Sequence, residues 1–275
     1  MALRDARSTA GPVLSLRSAG LTLGGRSLWS ALDLTVQPGE FITVLGSNGS
    51  GKSSLLKAVL GLQRLSAGCV EVHGRAATRG DRRIGYVPQQ RLLPPGTPMR
   101  GRDLVVLGVD GHRFGPRLFG RRAVRDQVEA AISAVSGQDF ADRPVGQLSG
   151  GEQQRLRVAQ ALVMGPSLLL CDEPLISLDL HHQREVSRLV DQRRRARGTS
   201  VLLVTHDINP VLPMTDRVLY FAAGRHRLGT PEEVLRSDVL SDLYDTSVDV
   251  ARIGDRIVVL GAPDHHEPHH VQVRR

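Results

Sequence analysis

Eight consecutive residues, Gly46-Ser47-Asn48-Gly49-Ser50-Gly51-Lys52-Ser53, carry the sharpest chemical signal in the chain. Glycines let the backbone wrap tightly, so that successive N–H groups point at phosphate oxygens. Lys52 supplies a point charge for β- and γ-phosphates, and Ser53 a hydroxyl ligand for Mg²⁺. The segment follows an apolar run and opens a helical pattern in which Ser54 is an early residue. That strand-to-helix context adds the positive end of a helix to the glycine cradle.

Three further clusters fit the same chemistry. Leu170-Cys171-Asp172-Glu173-Pro174 puts an acidic pair at the end of an apolar run. Asp172 there suits holding magnesium, and Glu173 suits polarising an attacking water as general base. Val204-Thr205-His206-Asp207 ends another run with an imidazole placed to reach a γ-phosphate and water. Leu148-Ser149-Gly150-Gly151-Glu152-Gln153-Gln154-Arg155 reads as a helix start with Ser149 as cap and two glycines leaving N–H groups open. That is a second anion-receptive end. One nucleotide rarely needs two, so the simplest resolution is a head-to-tail pair in which this segment closes over a nucleotide held by another copy.

The elements that must position these groups are short. Phe41–Leu45, Ser167–Cys171 and Ser200–Val204 are apolar runs without alternation, as expected of strands buried on both faces of a mostly parallel sheet. Helical patterns lie between them at Ser54–Leu62, at Gly151–Met164 (stopped by Gly165-Pro166) and at Gln183–Arg197 (ended by Gly198). The sum is an α/β architecture. Leu92–Gln147 reads as a helix-rich insertion with a helical pattern near Ala123–Val135. Beyond Pro210, Val218–Phe221 and Arg225–Leu228 flank a turn at Gly224, and Thr230-Pro231-Glu232-Glu233 has the form of a capped helix start. Val248–Ile253 and Arg256–Leu260 are expected to pair around Gly254-Asp255, and the polar, His-rich stretch from Pro263 to be loose.

Composition narrows the field. The chain has 275 residues, 40% hydrophobic and 23% charged, a globular balance. No apolar run approaches the ~18–20 residues of a membrane-spanning helix, and no secretion signal is read at the start. Two cysteines, Cys69 and Cys171, make no disulfide framework and point to a reducing compartment. The net charge is +8, and all basic residues except Lys52 and Lys57 are arginines. Aromatics at 3% are too sparse for stacking single-stranded nucleic acid, so no nucleic-acid partner is expected. Arg193-Arg194-Arg195, late in a helix where cations suit the dipole, reads as a solvated face.

Together these motifs resemble the nucleotide-binding subunit of ATP-binding cassette (ABC) transporters, in the family's order and from about Leu14 to about Gly229. Gly46–Ser53 is similar to the Walker A loop, Gln89 in Tyr86-Val87-Pro88-Gln89 to the Q-loop glutamine, and Leu148–Arg155 to the signature. Leu168–Glu173 is similar to Walker B, Ser177-Leu178-Asp179 to the D-loop, and His206 to the switch histidine.

The resemblance implies a P-loop NTPase core with a mostly parallel sheet, an antiparallel β subdomain and a helical insertion subdomain at about 91–147. The ATPase domain would span 12–247, with a β annex and tail at 248–275. It implies ATP and Mg²⁺ as ligands, with Gly46, Ser47, Asn48, Gly49, Ser50, Gly51, Lys52, Ser53 and Ser54 on the nucleotide. Ser53, Gln89 and Asp172 would serve magnesium, and Glu173, His206 and Gln89 catalysis. Ser149, Gly150, Gly151 and Asp179 would touch the nucleotide of a second copy. Gln89 has a neighbouring Gln90, and its place directly after Pro88 favours it as the active glutamine.

Two departures stand out. Leu23 takes the place where the family usually stacks an aromatic on adenine, and Ile176-Ser177-Leu178-Asp179 replaces the commoner Ser-Ala-Leu-Asp.

The resemblance further implies transmembrane permease subunits as partners, a periplasmic or lipid-anchored substrate-binding protein, and a place on the cytoplasmic face of the cell membrane. Ile84–Gln89, Arg100–Val105 and Thr205–Leu212 look like cassettes of zinc, manganese or iron importers; iron-chelate or cobalamin uptake, or export, is the alternative. Two other classes fit less well. Chromosome-maintenance ATPases need a long coiled coil between Walker A and signature, and no sustained heptads occur there. Non-transport cassette proteins usually carry two cassettes, whereas one Walker A is present. His265, His266, His269 and His270 can bind Zn²⁺, Ni²⁺ or Cu²⁺, although a solvated polar tail is the plainer reading. His181-His182 reads as a helix-start feature.

Overall fold

The computed structural model describes residues 11–89, 93–110, 121–176 and 178–261. Gln90, Ser177 and the histidine-rich stretch after Pro263 lie outside them.

Two strands, β1 (Leu14–Leu23) and β2 (Arg26–Val36), form an antiparallel hairpin that leads into β3 (Phe41–Gly46) and α1 (Lys52–Val59). Next come β4 (Ala67–Val72), β5 (Arg75–Ala76) and β6 (Ile84–Val87). The insertion supplies α2 (Gly101–Asp110) and α3 (Arg121–Ala134), followed by α4 (Gly150–Leu162). The chain continues through β7 (Leu168–Asp172), α5 (Leu180–Arg197), β8 (Ser200–Val204), β9 (Arg217–Ala222) and β10 (Arg225–Gly229). It closes with α6 (Pro231–Val234), α7 (Ser237–Tyr244), β11 (Asp249–Ile253) and β12 (Arg256–Leu260).

A six-stranded sheet in the order β10-β9-β3-β8-β7-β6 forms the centre, and only β10 runs antiparallel. Every residue of β3, β7 and β8 is buried, as their unbroken apolar runs require. The pleat sends alternate residues into two cores. Ile42, Val44, Leu168, Leu170, Leu202 and Val204 face α1 and a second sheet, the antiparallel β2-β1-β4-β5. Phe41, Leu45, Leu169, Cys171, Val201 and Leu203 face the helices of the insertion and the C-terminal half.

Two helix starts, those of α1 and α5, fall earlier than the apolar periodicity predicts, and α4 starts where its Ser149 cap places it. α1 begins at Lys52 because Gly51, in the left-handed region at φ 95°, is its cap. α4 begins at Gly150, capped by Ser149, and α5 at Leu180, capped by Asp179. Thr230 and Glu233 form the expected reciprocal cap at α6.

The arginine run corrects an expectation. Arg194 is not solvated: its guanidinium bonds Asp191 at 2.8 Å, Asp216 at 3.0 Å and the Gly39 carbonyl at 3.0 Å, and lies over the Phe41 ring. Its neighbour Arg195 does lie exposed, on the other oxygen of Asp191. A guanidinium has five donors in a rigid fork, so it can be buried where that many acceptors converge.

The terminal hairpin β11–β12 is fastened to the loop that follows β8. The Asn209 side chain donates to the Ile257 carbonyl at 3.0 Å and accepts from its N–H at 2.8 Å.

Candidate functional site

The loop between β3 and α1 packs against two aromatic residues, Phe221 at one end and Trp29 at the other. Gly46 has φ 141°, and a Cβ there would collide with the Phe221 carbonyl of β9. A Cβ on Gly51 would lie 2.7 Å from the indole nitrogen of Trp29. Trp29 and Phe221 are fully buried and stack at 6.0 Å, so one aromatic pair underlies both ends of the loop. Glycine is dictated at these two positions by contact as well as by φ. The Ser50 hydroxyl, buried in the same loop, has no hydrogen-bond partner among the described residues.

Lys52 leaves the first turn of α1 and arches back. Its ammonium donates to the carbonyls of Gly46 at 2.7 Å and Ser47 at 2.8 Å. Burial pushes its pKa down, and the carboxylates of Glu173 and Asp172 pull it partly back up. Ser53, one residue on, donates its hydroxyl to Asp172 at 2.9 Å.

The parallel sheet brings the other groups to one edge. Residues at the carboxyl ends of β6, β7 and β8 meet there, the usual place for chemistry in an open α/β sheet. Glu173 is held by both oxygens. Gln89 Nε2 donates to Oε2 at 2.6 Å, and His206 Nε2 lies 2.5 Å from Oε1. Glu173 also sits at φ 49°, a left-handed conformation that costs a non-glycine residue of order 1 kcal/mol. Asp172 is 3% exposed. Burial raises its pKa; the Ser53 hydrogen bond opposes the rise and the Glu173 charge adds to it. Tyr86 also bonds Asp172, and its own phenol is pushed up to about 12, first by burial and then by that carboxylate.

A cleft of about 830 Å³ joins Asn48, Gly49, Lys52, Ser53, Gln89, Glu173 and His206. Two apolar side chains, Leu28 and Ile176, line it as well. Ser54 is part of the same wall. Leu23 is 38% exposed at the end of β1 and is not among the lining residues.

A second group lies elsewhere. Ser149 caps α4 in a reciprocal box: its hydroxyl accepts from Glu152 N–H at 3.3 Å, and the Glu152 carboxylate accepts from Ser149 N–H at 2.7 Å. Asp179 caps α5, its carboxylate accepting the His182 N–H at 2.9 Å and bonding the His182 ring at 2.8 Å. These bonds hold the Asp179 carboxyl below the usual range. Among the described residues that line the cleft, none is Ser149, Gly150, Gly151 or Asp179. His182 is a helix-start residue, and among the described residues no group of three or more His, Cys, Asp or Glu is arranged to hold a metal ion.

Three contributors escape a reading of the sequence. Trp29 supports the loop from 17 residues upstream of Gly46, Tyr86 touches Asp172 across two strands, and Leu28 rather than Leu23 reaches the cleft. The local signal for Trp29 is its being the single tryptophan of the chain.

A phosphate loop, an acidic strand tip, a glutamine and a histidine on one carboxylate are joined by likeness to known proteins. A profile of the ABC transporter family matches residues 29–176. The chain belongs to the ABC transporter family. The zinc import ATP-binding protein of Paramagnetospirillum magneticum is 38% identical over 228 residues, 82% of this chain and 79% of that protein. The hemin import ATP-binding protein of Streptomyces coelicolor is 37% identical over 248 residues, 86% of each chain. The iron(3+)-hydroxamate import ATP-binding protein of Bacillus subtilis is 31% identical over 245 residues, 86% of this chain and 89% of that one. Among solved structures, an inward-facing ABC transporter described as of metal-chelate type superposes with a TM-score of 0.76 at 25% identity, covering 90% of this chain and 96% of its own. As a member of this family the chain is an ATP-binding subunit whose ATP hydrolysis is coupled to transport, and its fold is that of the ABC ATPase cassettes. Among the described residues no helix is long and apolar enough to cross a membrane.

Proposed function

We propose that the chain powers uptake of a divalent metal ion or a metal chelate through a separate membrane permease, working as a head-to-tail pair on the cytoplasmic face of the membrane. The single observation behind the catalytic part is the carboxylate of Glu173, gripped by Gln89 and His206 above the phosphate loop. Glu173 is the proton acceptor for the attacking water. Gln89 and His206 fix its orientation in the resting cleft, and His206 is in reach of a γ-phosphate oxygen once the cleft is filled. Lys52 turns its ammonium from the Gly46 and Ser47 carbonyls to phosphate oxygens, a trade of neutral acceptors for charged ones. The N–H groups of Ser47–Ser54 and the orphaned Ser50 hydroxyl suit the same phosphates.

The donor set fits magnesium. Ser53 and Asp172 offer hard oxygens 2.9 Å apart, and Gln89 offers a third on the facing strand end. Magnesium, when bound, neutralises charge on the β- and γ-phosphates. Until then Asp172 is held in place by Ser53 and Tyr86.

Ser149, Gly150, Gly151 and Asp179 of a second copy complete the pocket, since in their own chain they line no part of it. A second cleft, about 660 Å³, lies between β6, α2 of the helical insertion and α4. Tyr86, Pro88, Leu104 and Leu107 line it, one residue from Gln89, which suits it to take a permease segment and relay its position to the nucleotide. The names of the relatives favour zinc first and iron-hydroxamate or hemin next. The test is to copurify the permease complex, reconstitute it in liposomes with its binding protein, and measure ATP turnover against Zn²⁺, Mn²⁺, hemin and a ferric hydroxamate. Stimulation by one of them supports the proposal; indifference to all four rejects the metal reading.

A further inference from the structure

One histidine outside the cleft touches both segments assigned to the second copy's nucleotide. His182 bonds Asp179 twice, through its backbone N–H at 2.9 Å and its ring Nδ1 at 2.8 Å. A helix cap needs only the first of these bonds. The far edge of the same ring fills the space beside Gly151, where a Cβ would collide with Cδ2 and lie 2.9 Å from Nε2. Gly151 is therefore a glycine because His182 occupies its side-chain site. A neighbouring contact ties α4 to α5 as well: Arg155 of α4 reaches Glu185 of α5 at 3.9 Å. Asp179 stays largely open to solvent, with 65% of its side chain exposed, while the ring that orients it is half-buried at 33%.

We infer that His182 is a positioning residue that locks the α5 cap to the start of α4, so that Asp179 and the Ser149–Gly151 segment reach a second copy as one rigid unit. An imidazole suits the task. The Nδ1 bond to Asp179 holds one edge of the ring and the seat beside Gly151 holds the other, so little rotamer freedom is left to be lost on pairing. Without the ring, the two segments would be ordered separately when the copies meet. This inference rests on the paired reading proposed above.

The test uses the full chain carrying Glu173→Gln to prevent turnover. ATP-dependent pairing is measured by sedimentation equilibrium, and ATP affinity by equilibrium dialysis at protein concentrations too low for pairing. His182→Leu keeps the volume and loses the ring donor; pairing should weaken about tenfold, the scale of one charge-assisted hydrogen bond. His182→Asn keeps a donor near the Nδ1 position and should restore most of it. ATP affinity of the unpaired chain should stay within about twofold throughout, because the phosphate loop is untouched. Unweakened pairing in His182→Leu overturns the inference, and so does an equal loss of ATP affinity, which would make His182 a general support of the fold. If the Glu173→Gln chain itself never pairs with ATP, the paired reading fails, and the inference with it.

Discussion

Two helix starts in this molecule, those of α1 and α4, carry the proposed anion contacts, and they are built differently. α1 opens on Gly51, which has no side chain to cap it, and its N–H groups are left to the ligand with Lys52 alongside. α4 opens on Ser149, whose hydroxyl is engaged by Glu152 N–H, and the Glu152 carboxylate brings negative charge into the first turn. On the proposed reading the first end holds a triphosphate by itself. The second is self-satisfied, carries an acidic group that Arg143 only partly offsets at 3.5 Å, and offers little until a phosphate is delivered to it. On the proposed paired reading, affinity resides at α1 and the decision to pair at α4.

Breaking the α1 side should have the larger effects. Glu173→Gln removes the proton acceptor and should lower ATP turnover about a thousandfold, while ATP binding persists and a paired, ATP-loaded state accumulates on gel filtration. Lys52→Ala should weaken ATP binding about a hundredfold, the cost of deleting one partner of a desolvated charge pair. That loss should be the same at every protein concentration. Ser149→Arg should do the converse: ATP affinity of the dilute chain is kept, and ATP-driven pairing falls at least about tenfold through the lost cap and added bulk. Similar losses of dilute-chain affinity in both variants would erase the distinction.

A smaller effect sharpens it. Folding raises the Asp172 pKa, so the folded state favours the neutral acid, and the ionised carboxylate subtracts stability at pH values above that pKa. The deficit is relieved as pH falls through it. Asp172→Asn should thus raise the melting temperature of the nucleotide-free chain at pH 7 by about 2 °C, and the gain should shrink as the pH is lowered. The same variant should lose magnesium-dependent turnover. A lower melting temperature would show that Asp172 is held by its partners more than it is penalised by burial.

The parallel core and its chemistry are readable from the sequence because β3, β7 and β8 are unbroken apolar runs ending in the reactive residues themselves. The head of each helix is harder to read. α1 and α5 begin inside polar segments whose caps, Gly51 and Asp179, act through φ or a side-chain bond rather than through apolar spacing. The β1–β2 hairpin is obscured by register shifts at Ser18 and Ala31, both with positive φ, which break the alternation a strand would show. Trp29, Tyr86 and Arg194 act through neighbours far away in the chain, and nothing local marks a ring under a loop or an arginine under a sheet.

Complementation puts the shared pocket to the most direct test. Lys52→Ala and Ser149→Arg chains should each be nearly inactive in pairs of their own kind, one lacking the phosphate charge and the other the closing segment. In a mixed pair one pocket is whole: Lys52, Glu173 and His206 come from the Ser149→Arg chain, and Ser149–Gly151 from the Lys52→Ala chain. Mixing the two purified variants should restore ATP turnover, rising with the product of their concentrations. A mixture no more active than the sum of its parts would contradict the claim that each copy supplies half of the site.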